Sequence, residues 1–279
     1  MWDRASISRD LLDRAKQIKL IAADLDGTLL RSPREVTDRT LRAIEAVGGR
    51  GIAFTICTGR SFYELGDLPK TLGLAAPVIC RNGAEIVDPA DGGSLFRRPI
   101  PAEDTKAFIR YCLARGIDFC VTTQDSALYP KGSALAAWFG ELGPGRDGGP
   151  TVALIDEYAG QPAYKIVLLT HQPKYAQARA FADRLPGIRT VGAADEIDDL
   201  IAAQANKGDG LRWVAEYLGA GWDGCCAFGD YDNDLEMLRY AGLSFAMENA
   251  PDYIKSEADC VAPSNLEDGV AQVLEGLFL

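Results

Sequence analysis

A short apolar run, Ile18 to Ala23, stops abruptly at Asp24-Leu25-Asp26-Gly27, and that junction limits the folds open to the chain. The run is nearly all apolar and β-branched at Ile18 and Ile21, the pattern of a strand covered on both faces in a parallel sheet. In such sheets the active site lies beyond the strands' carboxyl ends. Two acids at that end therefore stand where chemistry is done. Alternation along an extended chain sends Asp24 and Asp26 toward the same side, while Gly27 lets the backbone turn away. Carboxylates sharing so small a space call for a hard cation, or for one ionised and one protonated acid. Asp and Gly also populate ordinary polar turns, so the pair is weighed against the rest of the chain.

Three further segments end in chemistry-bearing residues. Ile52 to Cys57 reads as a strand closing on Thr58-Gly59-Arg60, where a hydroxyl and nearby amides can donate to phosphoryl oxygens. A helix expected over Ser61–Leu72 would offer its amino end to an anion, although strand–Gly–helix junctions are also common punctuation. Asn206-Lys207-Gly208 precedes a helical pattern from Asp209 to Leu218, and an ammonium there would offset charge on a transferring phosphoryl group. Taken alone, a Lys in a polar stretch belongs on the surface. The apolar run from Cys225 closes on Gly229-Asp230-Tyr231-Asp232-Asn233-Asp234. Magnesium takes oxygen ligands and keeps waters, so one or two carboxylates with a substrate phosphate suffice. Asp24 and Asp230 fit that role, and Asp232 reads as a solvated acid.

In this order the segments resemble the haloacid dehalogenase (HAD) superfamily of phosphohydrolases, and the resemblance covers most of the chain. DLDGTLL at 24–30, Thr58 with Gly59-Arg60, Lys207 with Gly208, and GDYDND at 229–234 carry it. It narrows to the Cof-type phosphatases, because Asn82-Gly83-Ala84 follows the apolar run Pro77–Cys80 and a family-like tail follows Asp234. That tail runs through Met237-Leu238, Ala246-Met247-Glu248-Asn249-Ala250, Glu257-Ala258-Asp259 and Ser264-Asn265 to Asp268-Gly269-Val270. The resemblance implies a Mg2+-dependent phosphatase acting on a small phosphomonoester, a sugar phosphate or related metabolite. By it, Asp24 is the nucleophile that forms an aspartyl-phosphate, and Asp26 is the acid and then the base. Mg2+ would be held by Asp24, the Asp26 carbonyl and Asp230. Thr58, Gly59 and Lys207 would surround the phosphoryl oxygens and Asn82 would reach the substrate. Asn233 and Asp234 would orient metal waters and Lys207 from behind. An acid at position 26 separates the chain from the P-type ATPases of the superfamily, which carry a hydroxyl residue there. It does not separate phosphatases from phosphomutases, so a sugar-phosphate mutase is the alternative enzyme. A non-catalytic phosphometabolite sensor is the alternative non-enzyme, and the intact acid set argues against it.

Strand and helix patterns alternate from Ile18 to Pro77 and again from Lys207 onward, which implies an α/β fold with a doubly wound, Rossmann-like parallel sheet. Between them the pattern changes to paired strand-like runs (Leu95–Pro99, Ile117–Thr122, Ala163–Leu169) with helices at Ala102–Arg115 and Lys174–Leu185, an inserted α+β domain. The expected boundaries are 1–83 and 204–279 for the core and 84–203 for the insertion. By the resemblance the insertion is a C2-type cap that closes over the site and chooses the substrate. Lys131, Arg146 and Lys165 are candidates for its far end, with surface solvation the plain alternative for each.

Other phosphate chemistries lack their residues. No GK[ST] closes a Walker loop, no cysteine is followed six positions later by arginine, and His171 is the only histidine. The GxGxxG match at Gly143–Gly148 follows a helix-like segment and runs into Pro150, so it reads as a loop rather than a dinucleotide fingerprint. A net charge of −11 argues against a nucleic-acid or anionic-membrane surface. No run approaches transmembrane length, and the charges of Met1–Lys19 suit a short amphipathic helix rather than a signal peptide. Seven cysteines, mostly in apolar runs and without a CxxC pair, read as buried free thiols in a reducing compartment, so a cytoplasmic location is expected.

Overall fold

The computed structural model describes residues 8–32, 35–124, 126–136, 151–194 and 197–279. The chain divides into two compact units, one of Met1–Thr58, Asp67–Leu95 and Asn206–Leu279, the other of Gly59–Gly66 and Phe96–Ala205. The glycine-rich segment 143–148, with Arg146, lies outside the described residues.

In chain order the strands are β1 (Leu20–Ala23), β2 (Ala53–Ile56), β3 (Val78–Cys80), β4 (Glu85–Val87) and β5 (Ser94–Arg97). Then come β6 (Cys120–Thr122), β7 (Ser126–Tyr129), β8 (Thr151–Leu154), β9 (Lys165–Leu169), β10 (Ile188–Ala194) and β11 (Ile197–Ala202). The chain ends with β12 (Cys225–Gly229), β13 (Leu243–Met247) and β14 (Cys260–Ala262). In the first unit β14-β13-β12-β1-β2 form a parallel sheet, and a parallel bridge from Cys57 to Ile79 continues it toward β3. The apolar run that opened the sequence is its centre, with all four residues of β1 fully buried. From β1 the chain winds one way to β2, and from β12 the other way to β13 and β14. The switch point, where open α/β sheets hold their ligands, is between β1 and β12. Ala23 is in register with both Ile56 and Phe228, so Asp24, Cys57 and Gly229 leave the sheet at one level.

The expected insertion boundary at 84 is displaced. β4 folds back antiparallel on β3, pairing Val78 with Val87 and Cys80 with Glu85, and this ribbon holds the chain in the first unit through Leu95. The helix expected over Ser61–Leu72 is likewise two pieces, a 3-10 turn at Phe62–Leu65 and a short helix at Leu68–Thr71. Gly66 breaks it with φ 53° and ψ −128°, a conformation open to glycine and closed to side-chain-bearing residues. At its amino end the Ser61 N–H donates to the Glu64 carboxylate at 2.6 Å.

The second unit is α+β, with the sheet order β10-β11-β9-β6-β7-β8. Its pairings are antiparallel apart from parallel β7–β8. Helices Ala102–Leu113 and Tyr175–Ala182 belong to it, and Phe108 meets Phe119 edge-on at 6.3 Å in its interior. Among the described residues no helix is long and apolar enough to cross a membrane.

Candidate active site

The first unit buries a charge cluster at the carboxyl edge of its sheet. Asp24 follows β1 and is buried; Asp234 ends a 3-10 turn after β12, and Lys207 begins the helix Lys207–Tyr217, both with no exposed surface. The Lys207 Nζ donates to Asp24 Oδ1 at 2.5 Å and to Asp234 Oδ1 at 2.6 Å. Asn206 starts that helix by accepting the Asp209 N–H on its side chain, a cap that fixes where Lys207 emerges. Asp234 spends its second oxygen on the N–H groups of Asp230 and Tyr231, at 2.9 and 3.1 Å. Both of its oxygens are thus committed to holding Lys207 and the turn that presents Asp230.

Asp230 Oδ1 accepts from the Thr28 hydroxyl at 2.6 Å. That contact depends on Gly27, whose φ is +87° and whose position would put a Cβ 2.3 Å from Asp230 Oδ2. The Gly in the sequence junction serves the turn as expected, and it also makes room for an acid 203 positions later (230 − 27).

Asp24, Asp230 and Asp234 can bring ligand oxygens within 4.8 Å of one another. Three carboxylates then face one ammonium in a buried space, and the electrostatics show the imbalance. Burial pushes Asp24 well above the usual carboxylate range; Lys207 draws it down, and Asp234 and Asp230 push it up. Burial also raises Asp230, to about 6, with Asp234 adding to it and the Thr28 hydroxyl opposing. Burial alone would lower Lys207, but Asp234 and Asp24 hold it above its ordinary range. An all-carboxylate donor set with surplus negative charge fits a hard divalent cation. Asp24 and Asp230 each use one oxygen in a hydrogen bond and keep the other open to a ligand, whereas both oxygens of Asp234 already accept.

Asp26 departs from expectation. Its side chain is exposed where that of Asp24 is buried, and its charge helps to raise Asp230. Strand alternation stops at Asp24 because the chain turns at once: the N–H groups of Thr28, Leu29 and Leu30 all point to Leu25 O, at 3.3, 3.1 and 2.9 Å. Thr58 is buried beside β3, donating its N–H to Ile79 O and accepting the Asn82 N–H. Asn82 sits in a left-handed conformation (φ 54°, ψ 39°) and its Oδ1 accepts from Asn233 Nδ2 at 3.0 Å, joining two residues singled out separately. Gly59 and Arg60 fall in the second unit. Asp232 is exposed, as read. Lys131 is exposed, whereas Lys165 is half-buried and paired with buried Asp199 at 3.2 Å. Cys57 was not foreseen. Its Sγ approaches Lys207 O at 3.8 Å, and burial raises its thiol well above the usual value, so it packs the cluster as a neutral group. Its only sequence signal is its place one residue after β2, level with Asp24.

The sequence model of the haloacid dehalogenase-like hydrolases matches residues 21–274, the span that holds every element of this cluster. The chain belongs to that family. Within the HAD hydrolases it is similar to the 5-amino-6-(5-phospho-D-ribitylamino)uracil phosphatase YwtE of Bacillus subtilis, 30% identical over 94% of this chain and 98% of that protein. It is also similar to the pyridoxal phosphate phosphatase YbhA of Escherichia coli, 29% identical over 92% of this chain and 97% of that one. A solved HAD-like hydrolase from B. subtilis superposes with a TM-score of 0.79 at 27% identity, covering 92% of this chain and 99% of its own. The protein is therefore an enzyme, a phosphatase of the HAD type.

Proposed function

We propose that this enzyme hydrolyses the phosphomonoester of a small metabolite, a sugar phosphate or related compound, through an aspartyl-phosphate on Asp24. The observation that carries the reading is the buried Lys207 ammonium bonded to both Asp24 and Asp234. It draws the Asp24 carboxyl toward its ionised form against the effect of burial and fixes one oxygen, leaving Oδ2 to attack phosphorus. Asp24 Oδ2 forms a bond to phosphorus as the ester P–O bond breaks, and Asp26 gives its proton to the departing alkoxide. Water then attacks the aspartyl-phosphate, losing a proton to Asp26, and releases inorganic phosphate and free Asp24. Thr58, Lys207 and Gly59 bind phosphoryl oxygens, and Asn82, tied to Asn233, faces the substrate. Mg2+ is the cofactor in this reading, held by Asp24, the Asp26 carbonyl and Asp230, and it supplies charge neutralisation between anionic nucleophile and anionic substrate.

Relatives named for a phosphoribitylaminouracil and for pyridoxal phosphate support a small phosphorylated metabolite as substrate. The second unit selects it in this reading. Seven free cysteines, six of them buried, support a reducing cytoplasmic setting. The test is phosphate release from a panel of sugar phosphates, nucleotides and cofactor phosphates, with and without Mg2+, for the native chain and Asp24→Asn. Mg2+-dependent release lost in Asp24→Asn is the expected result. Equal release by Asp24→Asn refutes the mechanism, and turnover that needs a bisphosphate activator and transfers phosphate within the sugar makes it a mutase.

A further inference from the structure

Between β3 and β4 the backbone takes a course that side-chain-bearing residues avoid. Arg81, Asn82 and Gly83 are all left-handed, at φ 53°, 54° and 85°, and only glycine adopts that conformation without a steric penalty. Two such residues in a row persist only where their surroundings hold them. The Asn82 N–H donates to Thr58 O at 2.9 Å, and Asn82 Oδ1 accepts from Asn233 Nδ2 at 3.0 Å. Gly83 lies against the Asn206 carbonyl, so close that a Cβ would come 2.0 Å from its oxygen. The turn thus meets the ends of the segments that carry Thr58, Asn233 and Lys207.

Inside the turn, Arg81 Nε donates to Glu85 Oε2 at 3.1 Å, with the Arg81 side chain 2% exposed and that of Glu85 3%. Glu85 pairs with Cys80, the residue before Arg81, and opens β4. The ion pair therefore spans the turn from its first residue to the first residue of the strand that leaves it. Charged residues are rarely buried unless paired, and an apolar pair of similar volume serves stability as well or better. What the charged pair adds is direction, because a planar guanidinium bonds a carboxylate in a fixed geometry. Both residues lie in the first unit, and neither has a part in the chemistry above.

We propose that Arg81 and Glu85 are positioning residues for Asn82: their buried ion pair holds the left-handed turn and so fixes the Asn82 amide where it meets the substrate. The inference rests on the reading of Asn82 as a substrate contact. Arg81 and Glu85 each make further interactions, so the ion pair is one component of the hold, and the variants are chosen to isolate it.

The test separates position from stability. Arg81→Met leaves a buried carboxylate uncompensated and lowers the urea midpoint, whereas Arg81→Met with Glu85→Leu removes both charges and is expected to recover most of it. Values of kcat/KM on the best substrate of the panel are measured for the native chain and for this pairless variant, each with and without Asn82→Ala. The pairless variant is expected to stay about tenfold below the native chain, the scale of one hydrogen bond. Asn82→Ala is expected to cost about tenfold in the native chain and about twofold or less in the pairless one, because an amide already out of place has little left to lose. Arg81→Lys, which keeps a cation beside Glu85 but not the rigid fork, carries the same cycle with the same expectation should the apolar pair not fold. Native kcat/KM in the folded variant, or an equal cost of Asn82→Ala in both backgrounds, overturns the positioning role and leaves a purely structural pair. Asn82→Ala without effect in the native chain takes down the reading of Asn82, and the proposal with it.

Discussion

Replacing Lys207 with methionine removes the ammonium and keeps nearly the same shape, which isolates the charge that organises the site. The ammonium has no exposed surface and contacts two carboxylates at 2.5 and 2.6 Å, one of them fully buried and the other nine-tenths so. Deleting one member of a buried ion cluster leaves the others uncompensated, at about 3–5 kcal/mol. With a urea m-value of about 2–3 kcal/mol/M, that moves the unfolding midpoint down by about 1–2 M. The measurement is urea unfolding in chelator-containing buffer, followed by the fluorescence of Trp213 and Trp222 in the first unit, where no bound cation substitutes for the ammonium. The pH dependence has a definite sign. Burial raises Asp24, and Lys207 is the main force drawing it back, so in the variant Asp24 takes up a proton at higher pH than in the native fold. An acid whose folded pKa is raised favours the folded state at low pH and opposes it as pH rises through that value. The penalty of Lys207→Met is therefore largest above the pH at which native Asp24 ionises and shrinks as pH falls through that value. A loss below about 1 kcal/mol, or one that is constant with pH, refutes the account of Lys207 as the counter-charge of the cluster.

Other outcomes follow from single contacts. Asp230 is held up at about 6 by burial and by Asp234, so Mg2+ binding near about pH 6 releases protons that are already gone near about pH 8; calorimetry in two buffers of different ionisation enthalpy reads this directly. Gly83→Ala puts a Cβ 2.0 Å from Asn206 O at φ +85°, driving apart the Asn82 turn and the cap of the Lys207 helix. It is expected to cost about 2 kcal/mol or more and to depress turnover, seen as a lower urea midpoint and lower kcat. Burial works to raise Asp259, but bonds from Arg14 and Ser244 hold it below its ordinary value. An acid with a lowered folded pKa stabilises above its unfolded value and loses that contribution as pH falls through the folded one. The midpoint gap between native and Asp259→Asn therefore closes only in acid, below the ordinary Asp range; a gap that is the same at neutral and acid pH sinks this assignment.

Much of the site was legible because chemistry and local geometry coincide at strand ends. An apolar run ending in Asp24 announced both the central strand and the carboxylate beyond it, since burial on two faces and a polar stop are properties of neighbouring residues. Asp230 and Asp234 were legible for the same reason after β12. Lys207 was ambiguous: its sequence neighbours are polar, and nothing local distinguishes a solvated ammonium from one clamped between acids 183 positions before it and 27 after it. The exposure of Asp26 was not legible, because strand alternation does not continue into a turn whose amides at 28–30 return to Leu25. The helix after Thr58 was misjudged because its apolar spacing concealed the break that Gly66 imposes.

The sequence by itself determined the class of sheet, the acids at its edge and the order in which they appear, because each is written in a few consecutive residues by burial pattern, glycine and charge. Only the tertiary structure decided which of them meet. Parallel registry brings Asp24, Cys57 and Gly229 to one level, a helix started by Asn206 aims Lys207 between Asp24 and Asp234, and Asn249 and Asn265 close on the Asp24–Leu30 loop from beyond β13 and β14. Those contacts span most of the chain's length. They exist because folding a parallel sheet pays the entropy of long crossovers once, and thereby gathers at its carboxyl edge residues that no local pattern connects.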